Sequence, residues 1–275
     1  RRASRSGRTI QHGRLEYTVA PHTGGHNGRY PSMSTQNRRI SRLFLDRDLS
    51  RDSVSLTEHE TNYLGNVLRL KRGDPVLAFD GRGNERRATI ASLARRHGEL
   101  SLLETITPVP ESDLDLTLLQ ALPKTEAMDF IIQKATELGV RSLWPVTSDF
   151  SVVRLEGDRA ARRAEHWRRV AQSACEQCGR HRPPEIRPVG SLDAALSELP
   201  ATAMKLAFDL HTDRTLDRAA RPGGAVFAAC GPEGGFSPAD STALEAAGFE
   251  RVRLGPRTLR AETAALVACA LLQSL

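Results

Sequence analysis

Two short stretches concentrate the residues that could do chemistry. One is GPEGGFSPAD, Gly231 to Asp240, which follows the apolar run AVFAAC. The other is LGPRTLRAETAAL, Leu254 to Leu266. Both read as strand, Gly-Pro, loop, helix. In the first, Gly231, Gly234 and Gly235 can take positive φ and let a ligand lie against bare backbone. Ser237 predicts an N-cap, Pro238 the first helical position and Asp240 a capping-box partner. In parallel sheets, ligands sit beyond the carboxyl ends of strands, where helix N-termini point their free N–H groups. The second stretch puts Arg257, Arg260 and Glu262 on a loop ahead of a thoroughly apolar helix, expected to be buried against the sheet or a partner subunit. Two such loops side by side would make a pocket of amides and carbonyls, suited to a flat heterocycle such as adenine. For the first loop alone, a tight turn with no ligand is the competing reading.

Familiar chemical loops do not match this run. A P-loop needs a lysine after its last glycine, and none follows here. The spacings G-x-G-x-x-G and G-x-S-x-G are also missing from it. There are four cysteines, Cys175, Cys178, Cys230 and Cys269. The pair in ACEQCGRH invites zinc or redox chemistry. Zinc would need four ligands, and only His181 lies close by. The preceding RAEHWRRVAQSA has helical spacing, which places the pair at a helix end. Reduced structural or site-lining thiols are expected, and no metal.

The surrounding pattern says what must position these loops. From Ile40, short strands alternate with turn signals: SRLFLD, SVSL, PVLAFD, ERRATIASL and ELSLLETI. A helix of about three turns follows SVSL, with Thr57 as N-cap and Glu60 three residues on. These pieces predict a small β-barrel-like domain over 39–107. TPVPESD marks a boundary, with 108–113 as linker. From 114 to 275 the texture is strict alternation: LDLTLLQAL, then the helix KTEAMDFIIQKATELG closed by Gly139, then VRSLWPVT, and so on to the final apolar helix. Such alternation predicts an α/β domain with a parallel sheet and helices on both faces.

The 275 residues are 39% hydrophobic and 26% charged, an ordinary globular composition. No apolar run approaches the roughly 20 residues of a membrane span, and the N-terminus lacks a secretory apolar core, so a cytoplasmic protein with no membrane association is expected. The net charge of +6 is uneven. Residues 1–32 hold six arginines and one glutamate, leaving about +1 for the rest. Residues 1–38 are Arg-, Ser-, Gly- and His-rich without periodicity. They read as a disordered tail or a start assigned too early, with plausible protein from Met33. Local basic clusters carry the nucleic-acid argument instead. Residues 159–182 hold seven arginines against two glutamates. Part of that run is a solvated helix face, so Arg180 and Arg182, on the loop after it, are the better RNA-binding candidates. Arg42, Arg69, Lys71 and Arg72 form a second cluster in the barrel. Aromatics are only 5%. A structured RNA read by shape and phosphate contacts therefore fits better than a stacked single strand.

Taken together, GPEGGFSPAD, LGPRTLRAETAAL, KTEAMDFIIQKATELGV and CEQCGRHRPPEIRP resemble the RsmE family of 16S rRNA (uracil-1498-N3)-methyltransferases, of the SPOUT class. The resemblance covers about 39–275, with the four motifs in family order; the tail before Met33 departs from it. It implies a SPOUT-type α/β domain whose parallel sheet is knotted as a trefoil and dimerises, preceded by a PUA-like RNA-binding barrel. It implies S-adenosyl-L-methionine as cofactor, 16S rRNA in the small ribosomal subunit as substrate, and a homodimer. By match to the motifs, Gly231, Pro232, Glu233, Gly234, Gly235, Leu254, Gly255 and Leu259 are the cofactor-pocket candidates, with a structural role for Glu233 as the alternative. Lys124, Arg260 and Glu262 are the catalytic candidates. Lys124 could bind RNA phosphate or steady a uracil oxygen, and Glu262 could accept a proton or cap the final helix. Another RNA target, or a non-catalytic ribosome assembly factor, are the rival functions.

Overall fold

The computed structural model describes residues 40–216 and 224–274. The expected tail, residues 1–38, and Met33 lie outside the described residues.

The N-terminal part contains β1 (Ser41–Phe44), β2 (Ser53–Leu56), α1 (Glu58–Asn62), β3 (Pro75–Phe79), β4 (Glu85–Leu93) and β5 (Gly98–Ile106). Thr57 caps α1 in the expected capping box with Glu60, and the helix runs on as a π turn over Tyr63–Val67. The strands form one sheet in the order β1-β3-β4-β5-β2, antiparallel except for the β1–β3 pair. Its end strands β1 and β2 are not hydrogen-bonded to each other, so the expected barrel is an open one. Leu43, Leu64, Val76, Ile90 and Leu100 fill its core.

The second part alternates as the sequence predicts. It runs β6 (Asp115–Ala121), α2 (Thr125–Glu137), β7 (Ser142–Thr147), α3 (Gly157–Cys178), β8 (Glu185–Ile186), β9 (Gly190–Ser191), α4 (Leu192–Ser197), β10 (Met204–Phe208), β11 (Ala225–Cys230), α5 (Pro238–Ala246), β12 (Glu250–Val252) and α6 (Ala261–Gln273). All sheet pairings here are parallel, in the order β12-β10-β11-β6-β7-β8, with β9 also on β7. The central strands are apolar throughout because both faces are covered. Leu116, Leu118, Val226 and Ala228 face α2, α3 and α6, through Met128, Ile131, Trp167, Ala265 and Cys269. Leu119, Ala121, Phe227 and Ala229 face α4 and α5. β11 lies between β10 and β6, and β12 lies beyond β10. The chain therefore leaves β12 at one edge and returns to the opposite face as α6, passing the end of β11.

Both sheets fall within one compact unit. Their junction is polar. Glu176 near the end of α3 accepts a hydrogen bond from the Phe44 backbone N–H at 3.0 Å. The segment 107–113 has no regular structure, yet it is pinned: Arg180 meets Glu111 at 2.8 Å and Ser112 Oγ meets Gln273.

Candidate active site

The two Gly-Pro loops meet at the carboxyl ends of β10 and β11. Between them lies a cavity of about 330 Å³, lined by Gly231–Phe236 on one side and by Leu254, Arg257–Leu259, Ala261 and Ala264 on the other. Phe208, Asp209, Leu210 and His211, at the end of β10, form its floor. The size falls in the usual range for a small-molecule site.

Local chemistry explains the loop shapes. The Gly235 N–H donates to the Pro232 carbonyl at 2.9 Å, closing a turn that brings Gly235 back onto Gly231. A Cβ on Gly231 would lie 2.8 Å from the Gly235 carbonyl carbon, so only glycine fits there. Gly235 sits at φ +71°. Ser237 then caps α5, its Oγ accepting from the Asp240 N–H at 3.0 Å, with Pro238 at the first position as read from the sequence. The same Ser237 hydroxyl donates to Asp149 at 2.6 Å, which ties the β7 loop to the start of α5. In the second loop Gly255, at φ +128°, makes the bend but does not line the cavity. The other seven cofactor-pocket candidates do line it.

A second hollow adjoins the first. This groove, of about 730 Å³, is lined by Lys124, Glu126, Ala127 and Phe130 of the α2 region and by Arg260 and Glu262 at the start of α6. Glu233, Thr258, Leu259 and Ala261 border both hollows. All three catalytic candidates thus share one groove beside the glycine loop. Lys124 is exposed at the head of α2 and holds no ion pair among the described residues. Arg260 is 87% exposed at its side chain and lies 4.0 Å from Glu262, a loose pairing. Glu262 is in the first turn of α6, where the helix terminus favours negative charge.

Glu233 does more than line a wall. Its Oε1 accepts the Lys124 backbone N–H at 3.0 Å, satisfying a free donor at the α2 N-terminus. The contact is of the kind that the structural alternative for this residue expects.

Sequence reasoning missed several residues here. Gln120, fully buried on β6, donates to the carbonyls of Cys230 and Gly231, each at 3.3 Å, and so anchors the start of the glycine loop. A polar residue inside LTLLQAL is the signal that could have revealed it. Asp209 lines the cavity but is held by Arg251 at 2.6 Å. Its place after MKLAF, at a strand's carboxyl end, was the available cue.

The RNA-binding candidates divide. Arg69, Lys71, Arg72 and Arg182 are exposed. Arg42 and Arg180 are corrections. Arg42 is only 9% exposed at its side chain, 3.2 Å from Glu85 and stacked 4.6 Å from the centre of the Phe79 ring. Arg180 pairs with Glu111 and donates to the carbonyls of Thr136 and Val140 at 2.8 and 3.0 Å, closing the C-terminal end of α2. Neither guanidinium is available to a phosphate, because each already has its partner within the protein. Cys175 and Cys178 end α3 as free thiols. Burial pushes the Cys175 thiol up to about 12, so it is no ready thiolate. Among the described residues, no group of three or more His, Cys, Asp or Glu side chains is arranged to hold a metal, and no helix is long and apolar enough to cross a membrane.

Comparison with known proteins agrees with this layout. The family model for an RNA methyltransferase domain matches residues 110–273, and that for an RNA methyltransferase PUA domain matches 56–103. A ribosomal RNA small subunit methyltransferase E from Synechocystis sp. is 34% identical over 229 residues, covering 81% of this chain and 73% of that one. The crystal structure of a ribosomal RNA small subunit methyltransferase E from Neisseria gonorrhoeae, bound to S-adenosyl methionine, is 35% identical with a TM-score of 0.79, over 85% of this chain and 97% of that one. A putative methyltransferase from Legionella pneumophila, in complex with the same cofactor, is 31% identical with a TM-score of 0.81, over 86% and 97%.

Proposed function

The chain belongs to the ribosomal RNA small subunit methyltransferase E family, and on that premise we propose that it methylates N3 of a uridine, position 1498, in 16S rRNA, using S-adenosyl-L-methionine. The observation that carries this reading is the pair of adjoining hollows: one walled largely by backbone and apolar groups, sharing Glu233 and Leu259 with a charged groove beside it. The first fits the cofactor. Gly231 leaves no room for a side chain, while Leu254, Leu259, Ala261 and Ala264 offer apolar walls between exposed amides. When bound there, S-adenosyl-L-methionine supplies an electrophilic methyl group on a sulfonium sulfur.

The remaining tasks fall to residues of the groove. Uracil N3 carries a proton at neutral pH, and it must leave as the N–C bond forms and the S–C bond breaks. Glu262, on the groove wall, would accept that proton or hydrogen-bond the N3–H. Lys124 and Arg260 bring positive charge to where the uracil oxygens gain negative charge. Holding base and methyl in line across the Glu233–Leu259 border supplies the orientation. Arg69, Lys71, Arg72 and Arg182 are offered to RNA phosphates. A second copy of the chain is proposed against α6, whose Leu266, Val267, Ala270 and Leu271 are left half-covered or exposed on an otherwise apolar helix.

Nucleoside mass spectrometry tests the reading. The protein is incubated with S-adenosyl-L-methionine and small ribosomal subunits lacking the modification. A gain of 3-methyluridine is expected, falling about a hundredfold in Lys124→Ala with an unchanged melting temperature. Cofactor binding with no methylated uridine on subunits or free 16S rRNA would overturn the substrate assignment.

A further inference from the structure

α3 carries a stripe that the sequence ranked low and the structure promotes. Arg159, Arg162, Arg163, His166 and Arg169 recur at helical spacing, so they share one shoulder of a 22-residue helix over about 15 Å. The buried side of the helix is formed by Ala164, Trp167, Ala171, Ala174 and Cys175. Arg159, Arg162 and Arg169 are exposed and Arg163 is half-buried, and none of the four has an ion-pair partner among the described residues. Eight other described arginines also lack such a partner, so what sets α3 apart is that its four lie in a row on one helix. Thirteen other arginines lie within 4.0 Å of a carboxylate. Like charges one turn apart on a helix repel, so leaving these four unpaired costs stability without improving packing.

The orientation of α3 gives the stripe its meaning. Asp129 on α2 binds two consecutive α3 side chains: His166 Nε2 at 2.8 Å and the Trp167 indole N–H at 3.0 Å. Further along, Arg180 reaches the end of α2 through Thr136 and Val140. The two helices therefore run in the same direction, and residue 166 lies level with residue 129. Arg159, Arg162 and Arg163 are then level with Lys124, at the carboxyl end of the sheet where the groove opens. His166, at the middle of the stripe, touches α2, so the basic shoulder is the one facing α2. Glu176, seven residues beyond Arg169, meets β1 and so ends the stripe on that side.

We propose that this arginine stripe is an RNA phosphate track leading into the Lys124–Arg260–Glu262 groove. The proposal rests on the RNA-methyltransferase reading of that groove and goes beyond it by naming the surface that holds the flanking strand. Free guanidinium groups in a row, next to an acceptor site, are what a polyanionic backbone requires.

The test uses the full chain and the variant R159Q/R162Q/R163Q/R169Q, with unmodified 16S rRNA transcript as the probe over a salt series. Wild-type affinity should fall steeply with salt. The variant should show a log–log slope shallower by about 3, since each lost phosphate contact removes about 0.7–0.9. Its affinity at physiological salt should be at least tenfold weaker, with cofactor affinity by calorimetry unchanged. A control, R87Q/R96Q/R141Q/R214Q, removes the same charge from arginines that are already paired, and should keep the wild-type slope. Equal losses in both variants, or none in the stripe variant, would overturn the proposal. So would wild-type binding to phosphatidylserine vesicles in place of RNA. A stripe-dependent slope without any 3-methyluridine would leave the track standing and remove the N3 reading. Methylation and slope both unchanged in the stripe variant would do the reverse.

Discussion

The two ends of the parallel sheet handle charge in opposite ways. At the amino end, next to the N-terminal sheet, charges are matched and largely covered. Arg180 meets Glu111, Arg42 meets Glu85, and His181 lies 3.7 Å from Glu111. At the carboxyl end, Lys124 stands free on the wall of the charged groove, and the first arginines of α3, level with it along the helix, are also unpaired. A buried charge must be paired, because its desolvation is otherwise uncompensated. A charge kept for an external polyanion must stay free. The same residue type thus serves two purposes, and partnership distinguishes them better than abundance.

Substitutions at each end can break or sharpen that contrast. The largest effect is expected from Arg180→Ala, which strands Glu111 and two carbonyls of α2. Loss of one partner of a buried pair costs about 3–5 kcal/mol, to be read by denaturant unfolding. Cofactor affinity of the folded fraction should stay within twofold; a parallel loss of affinity would mean the two ends are not separate. Next is Gly231→Ala at the other end, where the new methyl meets Gly235 backbone. Strain of about 1–3 kcal/mol should weaken cofactor binding about five- to a hundredfold in calorimetry. Wild-type affinity there would show that the loop tolerates a side chain. The smallest effect is a pH dependence at the junction. Burial raises the Glu176 carboxyl above its ordinary 4.5, against the opposing hydrogen bonds from the Phe44 N–H and Tyr63. The native state therefore holds this proton longer than the unfolded chain does. Its stabilising contribution is complete below 4.5 and is lost as pH rises through the raised native value. Glu176→Gln, which still accepts from Phe44, should gain melting temperature relative to wild type between pH 4.5 and 7. A constant difference across that range would contradict the burial cost.

Much of this was legible because local rules and tertiary structure agree. Thr57 with Glu60 and Ser237 with Asp240 form the capping boxes that their spacing predicts. The alternating strands and helices from 114 onward become a parallel sheet with two covered faces, because runs such as LTLLQA leave no polar side for solvent. The meeting of the two Gly-Pro loops was readable through motif resemblance. Periodicity alone does not say that β12 lies beyond β10. The basic residues were the least legible. Arg180 and Arg42 look like surface cations in a string of letters; Glu111 and Glu85, 69 and 43 positions away, decide otherwise. Long-range pairing of that kind leaves no local trace. Conversely, the α3 arginines look like ordinary solvated helix until the helix is set level with Lys124.

One carboxylate carries a consequence for how two substrates share the site. Glu233 belongs to the glycine loop but holds the main chain at Lys124. It is a strut between donor and acceptor compartments, one hydrogen bond long. An adjustment of the loop on filling the first compartment would reach the main chain at Lys124 through this bond. Thermodynamic linkage then makes the effect mutual: whatever one occupant does to the other's affinity is returned in equal measure. Two occupants would then be joined through protein even before they touch each other.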